Sequence, residues 1–323
     1  MLNVSILLYD DVVASSVTGV LDLLNGVNKY LVRTGKSSAF AIGLVSRDPE
    51  RLNLVFPIMR VPHKSFTNAA CPDLIIVPSY NVGNEGVVKR NEHSVKWIIN
   101  MRERGSEVAS MCVGSYFLAE AGLLYGKAAT SHWAVLDDMR LRYPKIRIKS
   151  DAVITDQDGI YTSGGAFSSL KLIVYLIEKF CGRETALWAS KMFAIEMDRT
   201  SQAYFALFTG QHQHEDKAIL EAQLYMEKHF RDTISINDIC RLVNMGNRNF
   251  IRRFKAATNN TPFEYLQRVR IESAKKAIER NDTDLPAIIE EAGYNDLKAF
   301  RIIFKRLTGL SPVEYKKKYA RGT

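Results

Sequence analysis

Short, unbroken apolar runs mark the first part of the chain. Residues 3–9, 40–45, 74–77 and 107–109 are rich in Val, Ile, Leu and Ala with little polar alternation, the pattern of strands covered on both faces. Between them, residues 16–29, 94–104 and 115–124 repeat apolar side chains every three or four positions, which predicts helices with one buried stripe. Strands and helices alternating in this way predict a parallel sheet with helices on both faces. Residues 153–162 predict a hairpin turning at Asp158-Gly159, and helices follow over 167–180, after Gly164-Gly165, and over 183–196.

Beyond residue 217 the strand pattern stops and every periodic segment is helical. The fold class expected is therefore α/β followed by an all-α domain: residues 1–198, a polar connection over 199–216, then 217–323. The helical part also repeats. Phe250, Phe254, Lys255, Thr258, Pro262, Glu264 and Tyr265 recur as Phe300, Phe304, Lys305, Thr308, Pro312, Glu314 and Tyr315 at one fixed offset, the mark of a duplicated unit. In the first copy residues 235–243 form a short helix with Ile236, Ile239, Leu242 and Val243 as its apolar face. Gly246 supplies the turn, and residues 248–257 form a second helix. That is a helix-turn-helix. The second copy runs from a helix over 285–291 through Gly293-Tyr294-Asn295 to a helix over 296–307, and Thr261-Pro262 opens a long helix to residue 280 between the copies.

Charge gives this duplication a partner. Residues 217–323 hold 21 Lys and Arg against 13 Asp and Glu, whereas the rest is near balance at 23 against 22. A local basic surplus suits a polyanion, because Lys and Arg that neutralise phosphates release condensed counterions. Phe250 and Phe254 share the buried side of their helix, leaving Arg248, Asn249, Arg252 and Lys255 to project elsewhere. Arg and Asn are the side chains matched to guanine and adenine edges in the major groove. The corresponding exposed set in the second copy is Leu297, Lys298, Arg301 and Lys305, with Ile302 where the duplication places Arg252. The plainer reading of these cations is a solvated face.

Composition otherwise removes possibilities. The first residues lack a secretory signal, and nowhere does an uncharged apolar run of about 18 residues appear, so a cytoplasmic protein without a membrane partner is expected. Four widely spaced cysteines, Cys71, Cys112, Cys181 and Cys240, show no paired metal-ligand signature and no disulfide framework. His212 and His214 lie in the polar connection and read as solvated. No metal and no cofactor is expected.

Phe250-Ile-Arg-Arg-Phe-Lys-Ala-Ala-Thr, Thr261-Pro262, Arg270-Ile271, Gly293-Tyr294-Asn295, residues 300–305 and Ser311-Pro312 resemble the signature of AraC-type DNA-binding domains. The resemblance implies base-reading and phosphate-contacting roles for Arg248 and Arg252 in the first unit and for Lys298 and Arg301 in the second. It implies sequence-specific binding to double-stranded DNA and transcription regulation, with RNA polymerase as a further partner.

In the first domain, residues 107–118 run from a strand through the small-residue turn at Cys112-Val113-Gly114-Ser115 into a helix. Such an elbow sets a thiol at the positive end of a helix, where its pKa would tend to fall. His132, with Trp133 beside it, is a candidate neighbour. With Asp73-Leu-Ile-Ile-Val-Pro78 and residues 162–165, these segments resemble the PfpI-type, glutamine-amidotransferase-like sensor domains fused to AraC-type readers, the GlxA-like regulators. That resemblance implies a flavodoxin-like sandwich, a pocket at the elbow, dimerisation through this domain, and a small nitrogenous effector such as an amino acid or betaine. The candidate ligand-binding residues are Cys112, Val113, His132, Ser16 and Gly165. Hydrolases of the same superfamily join a thiolate to a histidine and an orienting carboxylate. Here Val113 stands where PfpI-type peptidases have a histidine, Ser16 stands where other relatives have a glutamate, and Asp22 is the nearest acid on that helix. Cys112 is thus open to three readings: a pocket wall, an inert elbow, or a working or redox-sensing thiol. A non-enzymatic regulator is expected; the alternative is a cysteine-dependent amidase or deglycase with a DNA-localising tail.

Overall fold

The computed structural model describes residues 1–48, 63–84, 86–197, 201–212, 214–280 and 284–320. Its internal contacts divide the chain into two units, Met1–Gln202 and Ala203–Thr323.

The first unit is built on a seven-stranded sheet in the order β3-β2-β1-β4-β5-β9-β8. Its strands are β1 (Leu2–Leu7), β2 (Phe40–Ser46), β3 (Lys64–Ser65), β4 (Leu74–Val77), β5 (Glu107–Ser110), β8 (Ile154–Gln157) and β9 (Ile160–Ser163). A separate pair of two-residue strands, β6 (Ala128–Ala129) and β7 (Arg147–Ile148), lies parallel. All pairings in the main sheet are parallel except β8 with β9. That pair is the expected hairpin, and its turn needs left-handed backbone at both Asp158 (φ 53) and Gly159 (φ 69), a combination that matches the twist of the strands it joins. The sheet is therefore mixed rather than wholly parallel.

Helices α1 (Ala14–Arg33), α6 (Leu170–Cys181) and α7 (Arg183–Met192) pack among themselves, as do α2 (Val87–Arg90), α3 (Glu92–Glu103) and α4 (Ser115–Glu120); α5 (Leu136–Arg142) follows β6. Val4, Ile6, Leu74, Ile75, Ile76, Val77, Val108 and Ala109 are all at most 2% exposed, which explains why these strands read as unbroken apolar runs. Two expected helices end early and a third starts late. The one from Ser115 stops at Glu120, because Gly122 turns left-handed at φ 72; the one from Arg183 stops at Met192, before Ala194 at φ 52; and residues 166–169 form a 3-10 turn ahead of α6.

The second unit is helical: α8 (Lys217–Lys228), α9 (Ile236–Leu242), α10 (Asn247–Thr258), α11 (Pro262–Arg280), α12 (Leu285–Glu291), α13 (Leu297–Thr308) and α14 (Pro312–Tyr319). The duplication is visible as two cores. Phe250, Phe254 and Tyr265 centre one, and Phe300, Phe304 and Tyr315 centre the other. Helix α11 belongs to both, with Tyr265 and Leu266 in the first and Ile271, Ala274 and Ile278 in the second. Its start is a reciprocal cap: Thr261 Oγ1 accepts from Glu264 N–H at 3.2 Å while Glu264 accepts from Thr261 N–H at 2.8 Å. Ser311 and Glu314 repeat the device at α14.

Two details of the first helix-turn-helix differ from expectation. Gly246 has an ordinary φ of −74° and serves as the N-cap of α10; the left-handed residue of the turn is Asn244 at φ 49. Leu242 is 42% exposed, and Cys240 takes its place in the core. The connection also behaves differently. Residues 199, 200 and 213 lie outside the described residues, but from Ala203 onward the segment is docked on the second unit. His212 Nε2 lies 2.9 Å from Glu227, His214 Nε2 lies 2.7 Å from Gln223 Oε1, and Gln223 donates to the Gln211 carbonyl at 3.0 Å. Polar side chains that looked solvated are satisfying one another.

Candidate ligand pocket and nucleic-acid interface

Strand order reverses at β1, which has β2 on one side and β4 on the other. In an open α/β sheet the crevice beyond the carboxyl ends of the strands at such a reversal is the natural binding place. A pocket of about 240 Å³ occupies it. Its wall comes from the segments leaving β1 (Val13, Ser15, Ser16), β4 (Ser79, Tyr80, Asn81, Val82), β5 (Met111, Cys112) and β9 (Ala166, Ser169, Leu170), with His132.

Cys112 sits at the tip of the elbow in a left-handed conformation, φ 54, that a non-glycine side chain seldom adopts. The tight fit behind it depends on Gly114, where a Cβ would lie 2.4 Å from the Pro78 carbonyl oxygen. The thiol is 3% exposed. Burial pushes its pKa up, against hydrogen bonds from the Ser79 side chain and from the backbone at Ala166 and Val113 that pull the other way. The expected fall is thus reversed, because desolvation of the thiolate outweighs the helix terminus.

His132 lines the same pocket, and its Nδ1 accepts the Ala134 N–H at 3.1 Å. In the neutral ring that bond leaves the proton on Nε2. Burial lowers the histidine pKa and is its only cause, so the neutral form prevails and, among the described residues, no carboxylate orients the ring. Its edge lies against Gly165, where a Cβ would come within 1.9 Å of the ring.

Ser16 also lines the pocket. Its hydroxyl donates to the Val13 carbonyl at 2.7 Å and accepts the Ser79 N–H at 3.1 Å, fastening the start of α1 to the segment after β4. Asp22 is on the exposed side of α1. Val113 is 1% exposed and packs into the core, so it is not part of the wall, and Gly165 does not line the pocket either but packs against the His132 ring. Trp133 lies tilted against His132 with ring centroids 5.0 Å apart and does not line the pocket. The aromatic that does is Tyr80. Sequence reading passed over Ser79, Tyr80 and Asn81; their position directly after the apolar strand ending in Pro78 was the signal available.

In the second unit Arg248, Asn249, Arg252 and Lys255 are exposed on α10, and Lys298, Arg301 and Lys305 on α13. Arg252 Nη2 donates to Asn249 Oδ1 at 2.9 Å, which preorganises a donor pair on the open face. Neighbouring Arg253 points elsewhere: its guanidinium grips Asp216 at 2.9 and 2.7 Å and holds that carboxyl below its usual range. Asp216 in turn caps α8 through Ile219 N–H at 3.3 Å. Two adjacent arginines therefore divide between surface and scaffold, a distinction invisible in the Arg-Arg dipeptide.

The DJ-1/PfpI family model matches residues 58–179, and a helix-turn-helix domain model matches residues 239–318. Over 255 residues the chain is 25% identical to the HTH-type transcriptional regulator GbdR of Pseudomonas aeruginosa, an alignment taking in 78% of this chain and 68% of that one. It is 28% identical over 187 residues to isonitrile hydratase of Pseudomonas putida, covering 57% of this chain and 75% of the hydratase. The first unit shares its fold with the crystal structure of an AraC family transcriptional regulator from Pseudomonas putida, with TM-score 0.50 and 17% identity over 60% of this chain and 100% of that one. No helix among the described residues is long and apolar enough to cross a membrane.

Proposed function

We propose that this chain, a DJ-1/PfpI-family domain followed by an AraC-type helix-turn-helix domain, is a DNA-binding transcription regulator. A small nitrogenous metabolite bound in the pocket at Cys112 controls it. The observation that carries the sensor reading is the state of Cys112 and His132. A general base must take the thiol proton, yet the Ala134 N–H occupies Nδ1 and leaves Nε2 already protonated. Burial meanwhile keeps the thiol neutral. Both groups then serve as pocket wall.

The chemistry of the wall supports the effector class. Its polar groups are the hydroxyls of Ser15, Ser16, Ser79 and Ser169, the Asn81 amide and His132, and none of the described lining residues carries a carboxylate, ammonium or guanidinium. Ser16, Ser79 and Ser169 donate their hydroxyl protons to the Val13, Tyr80 and Ala166 carbonyls, so the Ser15 hydroxyl, the Asn81 amide and His132 Nε2–H are the donors that suit a carboxylate or amide, and the Tyr80 ring suits a small alkylammonium group. We infer that Cys112, His132 and Ser16 form the effector site, with Gly165 leaving room for the His132 ring, and that Arg248, Asn249, Arg252, Lys255, Lys298, Arg301 and Lys305 face DNA. Two chains bind one operator, because a single chain offers few phosphate contacts and linking two raises affinity by a factor on the order of 10² or more.

The test is thermal unfolding of the full chain with a panel of amino acids and betaines. A ligand at 100 times its Kd adds about 2.7 kcal/mol, and the same ligand should change the affinity for a footprinted promoter fragment. Ser16→Phe, which fills the pocket, should abolish both effects. Hydrolysis of an amide or isonitrile that vanishes in Cys112→Ser would overturn the sensor reading in favour of an enzyme.

A further inference from the structure

The two reading helices face solvent with different chemistry. At about 100° per residue, Leu297, Arg301, Lys305, Lys298 and Ile302 fall in that angular order within an arc of about 140°, with Leu297 at the edge next to the buried Phe304 and Ile302 on the side away from Phe300 and Phe304. Three cations occupy the middle of the arc and two large apolar side chains its borders, Leu297 at 46% and Ile302 at 62% exposed. Their partners in the duplication are Asn247 and Arg252. At these two borders the first unit presents an amide and a guanidinium, with the exposed Ile251 between them where the second unit has Arg301, whereas the second presents two branched hydrocarbons beside positive charge. The cation at Lys305 repeats Lys255, and Lys298 stands in for Arg248.

We infer that the second unit is a thymine reader: Leu297 and Ile302 pack on the C5-methyl groups of thymines in the major groove, while Lys298, Arg301 and Lys305 hold the flanking phosphates. The inference rests on the DNA-binding reading above. Charge complementarity selects the occupant. Three cations flanked on either side by an exposed hydrocarbon fit a polyanion that carries apolar groups at its recognition edge, and the thymine methyl is the apolar group the major groove displays. Hydrogen-bonding bases gain nothing from Ile302, which has neither donor nor acceptor. The operator should therefore be asymmetric within each chain's footprint, with purine edges read by Arg248, Asn249 and Arg252 and a thymine-bearing segment lying about one helical turn away.

The experiment uses the full chain and a duplex selected from a randomised pool, with thymines replaced by deoxyuridine one half at a time. Uracil keeps every hydrogen bond and removes only the methyl. Replacement in the second unit's half should weaken binding about three- to fivefold per contacted methyl, the effect of one buried methyl group, and replacement in the first unit's half, where Ile251 is the exposed hydrocarbon of the reading face, should weaken it less. Ile302→Ala should bind weakly and lose its sensitivity to uracil, whereas Arg252→Ala should keep it. Equal affinity for thymine and uracil duplexes in both halves would overturn the inference, as would Ile302→Ala that retains full affinity. A chain that binds neither a selected nor a scrambled duplex would instead remove the DNA-binding reading itself.

Discussion

At Cys112 two local effects act in opposite directions. The elbow places the thiol at the start of a helix, which favours a thiolate, but the fold buries it, and burial prevails. The sign follows directly. A pKa raised in the folded state means that the fold favours the neutral thiol. Stability from this group is intact below the ordinary thiol range and is lost as pH climbs through that range towards the raised value. Iodoacetamide should label Cys112 more slowly than free cysteine at pH 7.5, with a rate still rising at pH 9.5, as peptide mass mapping can follow. A fast reaction at neutral pH would show a working thiol. Residue-scale contrast on the other unit is as sharp. Arg252, exposed and paired with Asn249, should cost roughly 1–3 kcal/mol of specific binding when changed to Ala, whereas Lys305→Ala should weaken all sequences alike and reduce the salt slope by about one. Salt titrations on specific and scrambled duplexes separate the two.

Among the elements, the paired turns of the duplicated unit show how one motif solves the same bend twice with different residues. In the second copy Gly293 takes φ 80, and a Cβ there would meet the Phe230 and Arg231 carbonyl oxygens at 2.9 and 3.0 Å. The first copy assigns left-handed backbone to Asn244, so Gly246 is free of that demand and lies in open space. Gly246→Ser should therefore be neutral or stabilising by up to about 1 kcal/mol, since it adds the side-chain cap that α10 lacks. Gly293→Ser should cost at least about 1–2 kcal/mol from backbone strain alone. Denaturant unfolding of the two variants compares them, and equal losses would show that the assignment of the turns is wrong. The duplication itself was legible because aromatic residues four apart on a helix must share a side, and both copies bury theirs completely. The turn was not, because Gly and Asn both tolerate left-handed backbone and only the tertiary bend selects between them.

For the molecule as a whole, the segment joining the two units has anchors at both ends. Gln202 is 2% exposed, and its amide donates to Thr130 Oγ1 and the Ser131 carbonyl, both at 3.0 Å. Four residues on, the Ala206 carbonyl accepts from Lys275 at 2.5 Å, and Glu272, 2.7 Å from that ammonium, accepts the Phe208 N–H at 3.2 Å. Lys275 and Glu272 are 3% and 9% exposed. Removing one member of a buried pair leaves an uncompensated charge. Lys275→Met should cost about 3–5 kcal/mol, with the double variant Lys275→Met, Glu272→Leu recovering much of it. Unfolding monitored by circular dichroism gives both values, and additive losses would argue against a coupled pair.

Elements whose patterns are strictly local were decided by the sequence. Apolar runs mark strands covered on both faces, three-and-four spacing marks helices, and a fixed offset of aromatic, proline and capping residues marks the duplicated helical unit with its basic surface. Those features depend on backbone geometry and on the partition of side chains between water and core, which neighbouring residues alone express. Only the tertiary structure decided the rest. It turned Val113 into the core and brought Ser79 and Tyr80 beside Cys112 and His132 from separate strand ends. It also sent Arg253 to Asp216 while leaving Arg252 in solvent, and it satisfied the connecting histidines. Each depends on what approaches from a distant part of the chain, and with it on desolvation and hydrogen-bond partners, which set protonation and orientation and which no local pattern records.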